Sequence, residues 1–236
     1  MSLSRAFSVA LSGAVIAVLV GCSTGGADAG ADARAPSPPS TVAEPTTTPA
    51  EPSRESPSPT PTPSKPSTRG QTASLTIPEI GLQDLRVVPY EGTTDDWPGT
   101  RIQNEGVAAS PYGSSGGVGP GEVGNYLVTA HRLSAGGPLR ELPTLDEGDT
   151  VTITAGGKAY KYEITDTRST SFRSERSLAE QRAAVPGSPG LRPTEAVITI
   201  STCATPEDNA AGNFWRDDKG NPEHRIDKIG VLTSVT

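Results

Sequence analysis

Cysteine is nearly absent: the 236 residues hold two, Cys22 and Cys203. A disulfide between them would tie an N-terminal tail to the folded part, so none is expected. Histidine is as scarce, at His131 and His224. Two histidines and one cysteine without paired ligand spacing make a poor zinc site, so no metal is expected. No basic stretch forms a phosphate-binding patch, and the formal charge of −7 argues against a nucleic-acid partner. No internal repeat is visible. The one apolar run, at 6–20, is broken by Ser8, Ser12 and Gly13 and is short for a membrane span.

What is present begins with that run. One cation, Arg5, precedes it, which is the pattern of a secretory signal. It ends in Leu19-Val20-Gly21-Cys22, a string that resembles the lipobox of bacterial lipoproteins. That resemblance implies cleavage before Cys22 and a diacylglycerol on its thiol. Residues 1–21 are then a lipoprotein signal peptide. Cys203 becomes a lone thiol in an exported protein, a liability unless it is used or well buried.

Residues 22–70 read as a stalk. Between 36 and 66 there are 11 prolines and 12 serines or threonines among 31 residues. Such a run has too little apolar surface to offset ordering entropy. Its prolines favour extended polyproline II, with a reach of about 95 Å.

Residues 71–236 are the expected folded domain, mostly β. Strands are expected at 74–78, 85–88, 125–129, 150–154, 159–165, 197–202 and 229–234. Gly156-Gly157 is a hairpin signal between two of them. Short helical turns are expected at 139–142 and at 177–183, the latter capped by Ser174 or Ser177. Seven or so short strands with few helices suggest a barrel or a sandwich.

Three strand ends carry chemistry. Cys203 closes the run Thr199-Ile200-Ser201-Thr202-Cys203 and can attack a carbonyl as thiolate. His131 follows Leu127-Val128-Thr129-Ala130 and can protonate a departing amine. Arg225 precedes the last apolar strand and can donate to a developing oxyanion. Taken singly, each has a plain reading: a packed cysteine, a surface histidine, a surface arginine.

The ordered set resembles the sortase family, most closely the actinobacterial class E sortases. Thr76-Ile77-Pro78-Glu79-Ile80-Gly81-Leu82 resembles the family's opening strand, and Val128-Thr129-Ala130-His131-Arg132 its histidine motif. Gly137-Pro138-Leu139-Arg140-Glu141-Leu142 and Tyr160-Lys161-Tyr162 resemble the segment that follows. Thr199 to Cys203 resembles the family's Thr-Leu-x-Thr-Cys. The likeness runs from about Leu75 to the end of the chain. Ile200 stands for the usual Leu and Ala130 for the usual Gly, both mild changes. The 22 positions from Cys203 to Arg225 are more than the class leads one to expect, and make Arg216 a competitor. Arg225 is preferred because it directly precedes the last strand.

The resemblance implies a closed eight-stranded β-barrel with a few short helices. It also implies a transpeptidase, with Cys203 as nucleophile, His131 as general acid and base, and Arg225 stabilising oxyanion and substrate. Thr202 is expected to support Cys203 through its hydroxyl. The implied partners are secreted proteins bearing an LPXTG-like C-terminal sorting signal, of the LAXTG kind in class E, and an amine of a peptidoglycan precursor. No cofactor is implied. Calcium dependence stays open, and Glu207, Asp208, Asp217 and Asp218 read as a solvated loop rather than a cation site. The expected location is the outer face of the plasma membrane, with a lipid anchor at Cys22. The alternatives are a cell-wall cysteine peptidase or hydrolase, whose families usually place Cys before His, and a non-catalytic sortase-like binding lipoprotein.

Overall fold

The computed structural model describes residues 67–236. The signal segment, Cys22 and nearly all of the stalk lie outside the described residues. Eight strands follow in chain order: β1 Ala73–Ile77, β2 Leu82–Glu91, β3 Ala108–Tyr112, β4 Gly124–Thr129, β5 Thr150–Ala155, β6 Lys158–Ser171, β7 Ala196–Cys203 and β8 His224–Val235. Three α-helices lie in the connections: α1 Trp97–Gln103, α2 Glu175–Arg182 and α3 Thr205–Ala210. The strands close into a barrel in the order β1-β2-β3-β4-β7-β8-β6-β5. Only β2 with β3 and β4 with β7 run parallel. The closed eight-stranded barrel is as expected.

Local chemistry explains the pieces. Gly156 and Gly157 both have positive φ, 57° and 75°, and close a two-residue turn at the Ala155–Lys158 pair. Ser174 caps α2 by accepting from the Ser177 amide at 3.1 Å. The barrel interior is aliphatic and aromatic: Leu75, Ile77, Val128, Ile153, Tyr162, Ile198 and Ile200 are all fully buried. At about 1.5–3 kcal/mol each, such side chains dominate what holds the barrel closed.

Several elements depart from expectation. β3, Ala-Ala-Ser-Pro-Tyr, was not expected, because small residues and Pro111 carry no β signal; it joins β4 through a single register pair, Ala109–Thr129. β6 continues six residues past 165, beyond a register shift between Ile164 and Asp166. β8 begins five residues before 229, at a charged run, His224 to Lys228, that reads as loop. Helices α1 and α3 open with Pro98 and Pro206 in their first turns, where a missing amide costs nothing. The turn expected at 139–142 forms, closed by the Leu142 amide donating to the Leu139 carbonyl at 3.2 Å, and a 3-10 turn follows at Leu142–Thr144.

Contacts begin slightly before 71. The Glu122 carboxylate accepts from the Thr68 amide at 2.6 Å and the Ser67 hydroxyl at 2.7 Å. Burial pushes this carboxyl up, but hydrogen bonds from Ser67, Gly119 and Thr68 hold it below the ordinary glutamate range. Glu122 precedes β4 and His131 follows it, so this clasp sits at the strand end opposite His131.

Candidate active site

β7 has two buried faces. Ile198 and Ile200 enter the barrel core. By the two-residue alternation of a strand, Thr199, Ser201 and Cys203 point to the outer face. On neighbouring β8, Cys203 pairs directly with Arg225, and Ser201 with Asp227. On the other side of β7 runs β4 in parallel, with Thr129 beside Ser201. The Ala130 amide donates to the Ser201 carbonyl at 3.2 Å, which carries the register one residue further and sets His131 next. One outer face therefore collects the ends of three adjacent strands, bearing His131, Cys203 and Arg225.

That face is polar and still dry. Asp227, at 1% exposure, accepts from Thr170 at 2.5 Å and from the Gln181 amide at 2.8 Å, and also from Ser201. The Gln181 amide also donates to Ser201 at 2.9 Å, and its carbonyl accepts from Thr94 at 3.1 Å. Thr199 donates to Asn125, whose amide donates to the Gln181 and Ala183 carbonyls, each at 3.0 Å. Helix α2 thus lies over β4, β7 and β8 through a hydrogen-bonded floor. Each such bond adds only about 0.5–1.5 kcal/mol, but a buried partner left alone costs about 1–3 kcal/mol.

Arg225 is 4% exposed. Its guanidinium lies over the Phe172 ring, 4.6 Å from the centroid, and its Nη2 forms an ion pair with Asp95. Its Nε and Nη1 are buried without a protein partner among the described residues. Burial works against its charge, and Asp95, with Cys203 and Asp227, more than offsets this, so Arg225 stays protonated. Arg216, the competitor, is turned into its own loop. It donates to the Trp215 carbonyl and to Asn209, each at 2.6 Å.

The Cys203 thiol faces the Asn221 amide oxygen at 3.7 Å. Asn221 is fixed by Asp217, which accepts its backbone amide at 2.8 Å and its side-chain amide at 2.9 Å. Burial pushes the thiol pKa up; Arg225 draws it down, and Asp95 and Asp217 push it up again. Burial, then the Arg225 charge, pulls His131 below its ordinary value. Both directions favour a resting pair of neutral thiol and neutral imidazole. The His131 Nε2 lies 2.7 Å from the Asn104 side-chain oxygen, which leaves Nδ1 as the second ring nitrogen for proton traffic.

Thr202 behaves differently from expectation. Its hydroxyl donates to the Ala130 carbonyl at 2.9 Å, on the other face of β7 from the thiol. It therefore steadies the backbone that carries His131. His224 is held by Asp208, which accepts its amide at 2.9 Å and its Nδ1 at 2.7 Å. Glu207 and Asp208 lie on α3 rather than in a solvated loop, with Asp208 buried; Glu207 pairs with Arg132, Asp218 with Lys219, and Asp217 caps its own turn. Among the described residues no three acidic, cysteine or histidine side chains converge as a metal site.

Asp95 and Asn104 escaped the sequence reading because α1 did. The string Asp95-Asp96-Trp97-Pro98 carried the signal: an acidic N-cap followed by proline inside the first turn. Asp96 is that cap, accepting from Gly99 at 2.7 Å, and Asn104 closes the helix.

A sequence model of the sortase domain matches residues 75–214. The chain belongs to the sortase family. Its fold and family make it a transpeptidase, and His131 and Cys203 fall inside the matched stretch, while Arg225 lies beyond it. Among solved structures, sortase E from Streptomyces avermitilis is 25% identical, covering 72% of this chain and 92% of that one at a TM-score of 0.51. The SrtA sortase from Actinomyces oris is 20% identical, covering 73% and 85%, at a TM-score of 0.54. Sortase E1 from Streptomyces coelicolor is 18% identical, covering 72% and 91%, at 0.52. These last two show the shared fold. No curated protein matches.

Proposed function

We propose that this sortase cleaves a C-terminal sorting signal after threonine through a Cys203 thioester and passes the acyl group to a cell-wall amine. The observation that carries this reading is the cross-strand Cys203–Arg225 pair with His131 at the end of the adjoining strand. His131 takes the thiol proton, and the sulfur attacks the threonine carbonyl carbon. Arg225 donates to the oxygen as it gains charge, in a dry site where such donors are strong. The C–N bond to the next residue breaks, and the His131 imidazolium gives its proton to the leaving amine. An incoming amine attacks the thioester, His131 removes its proton, and the Cys203 sulfur departs. The depressed His131 and elevated Cys203 values mean that only a minor fraction holds the reactive thiolate and imidazolium together.

The substrates on this reading are secreted proteins with an LPXTG-like signal, of the LAXTG kind. The nucleophile is a peptidoglycan-precursor amine. Lipidation at Cys22, with residues 22–70 as spacer, would hold the enzyme on the outer face of the membrane. The string Leu19-Val20-Gly21-Cys22 supports the anchor. Replacing Cys22→Ala should release the protein from the membrane fraction into the medium.

The test of the reaction is incubation of the purified protein with sorting peptides and a soluble primary amine, read by mass. The expected result is an acyl adduct on Cys203 and an amide product, both lost in Cys203→Ala with the melting temperature preserved. Hydrolysis that ignores added amine would make the protein a peptidase. Absence of any adduct would make it a binding protein.

A further inference from the structure

We propose that Asp95 is a positioning residue of this site: it holds Arg225 by one nitrogen and leaves the remaining guanidinium donors to the substrate. This rests on Cys203 and Arg225 being the reacting pair. Arg225 has five donors in a rigid plane. Phe172 covers one face of that plane at 4.6 Å, and Asp95 engages Nη2. Nε and Nη1 stay buried and without a protein partner among the described residues, on the strand position directly opposite Cys203. A buried donor without an acceptor is costly, and a protein keeps two on one side chain where something else is to be bound.

Asp95 is itself aimed by its surroundings. Its φ is +75°, a left-handed value that a non-glycine residue adopts at a cost. The residues on either side are tied down. Thr94 donates to Gln181 on α2 at 3.1 Å, and Asp96 caps α1 through Gly99 at 2.7 Å. Asp96 also accepts the Thr93 amide at 3.0 Å, while Tyr90 donates to the Thr93 carbonyl at 2.6 Å. This clamped loop turns the Asp95 side chain, 13% exposed, inward onto Arg225. The α1 cap uses the Asp96 carboxylate and not that of Asp95.

The charge has a second consequence. The charges acting on the Cys203 thiol are Arg225 from β8, Asp95 from the loop before α1, and Asp217 and Arg216 from the β7–β8 loop, with His131 at the end of the adjoining strand β4. Burial raises the thiol most, Arg225 opposes it, and Asp95 adds to it. Removing the Asp95 charge leaves burial and Asp217 against Arg225 and shifts the balance toward the thiolate.

Asparagine and glycine both tolerate a left-handed φ, so Asp95→Asn and Asp95→Gly keep the loop while removing the charge. Two readouts follow. The pH profile of Cys203 alkylation by iodoacetamide should shift to lower pH in both variants. With sorting peptide and amine, kcat should fall by about 10²-fold from guanidinium misplacement, with KM little changed. In an Arg225→Ala background, Asp95→Asn should add no further loss, because its effect runs through Arg225. A wild-type alkylation profile with wild-type kcat in folded Asp95→Asn overturns the proposal, as does an additive loss in the double variant. If the wild type transfers no peptide, the transpeptidation reading fails instead, and the alkylation profile alone still decides whether Asp95 controls the charge at the thiol.

Discussion

The two faces of β7 are built from alternating residues of one eight-residue strand, yet they are held by different physics. Ile198 and Ile200 enter the barrel, where the favourable term is area removed from water. Thr199 and Ser201 enter an equally dry surface where hydrogen bonds must be complete, and Cys203, half-buried, ends it. Asp227, Gln181, Asn125 and Thr94 complete them. The first face is non-directional and tolerates repacking; the second is directional and can aim a side chain. A reactive cysteine at the end of the directional face inherits fixed neighbours. One guanidinium on that face, Arg225, is left with donors in reserve.

Substitutions on the two faces should therefore fail differently. The largest effect is expected from Arg225→Ala, a loss of about 10²–10³-fold in kcat with peptide and amine, while Arg216→Ala stays close to wild type. The reverse result would move the oxyanion role into the β7–β8 loop. Next comes Ile198→Ala, costing about 2–5 kcal/mol in denaturant unfolding through lost area and a cavity. Its Cys203 alkylation profile should match wild type, since no charge at the site moves; a shifted profile would mean the two faces are not independent. Gln181→Ala should cost about 1–3 kcal/mol by stranding Thr94, Ser201 and Asp227. Unlike Ile198→Ala, it should also lower kcat, because the Asp95 loop loses its tie to α2.

The smallest effect is expected far from both faces, at Glu122. Its folded pKa is held below the ordinary value by its hydrogen bonds. The stability it contributes is thus present above the ordinary glutamate pKa of about 4.3 and is lost as pH falls through the folded value. Glu122→Gln should cost about 1 kcal/mol or less at neutral pH, since the site is partly solvated. The difference from wild type should vanish in acid; a difference that persists there would mean that packing, not charge, holds the Ser67–Thr68 segment.

Several sequence expectations match the architecture for reasons that are local. Gly156-Gly157 forms its turn because positive φ is available to glycine at both positions. Ser174 caps α2 because a hydroxyl there meets a free amide. β7 was legible because alternation of Ile with Thr and Ser is a strand signal whatever lies on either side. β3 and the first half of β8 were not. In β8 the sequence shows His224, Arg225, Asp227 and Lys228, which read as solvent-facing. Arg225, Asp227 and Lys228 are buried against partners far along the chain, Asp95, Thr170 and the Leu145 carbonyl that accepts from Lys228, while His224 is only half-buried and is held by Asp208. A charge is buried only where its partner is, and no window of sequence contains both.

By itself the sequence determined the run of apolar alternation that makes the barrel strands, the glycine and proline turns, and the order His131, Cys203, Arg225 along the chain. Tertiary structure alone decided that Thr202 serves Ala130 rather than the thiol, that Arg216 is tied into its own loop, and that Asp95 lies against Arg225. The reason is physical: backbone preference and hydrophobic period act over a few residues, whereas desolvation and charge pairing act across whatever the closed barrel brings together.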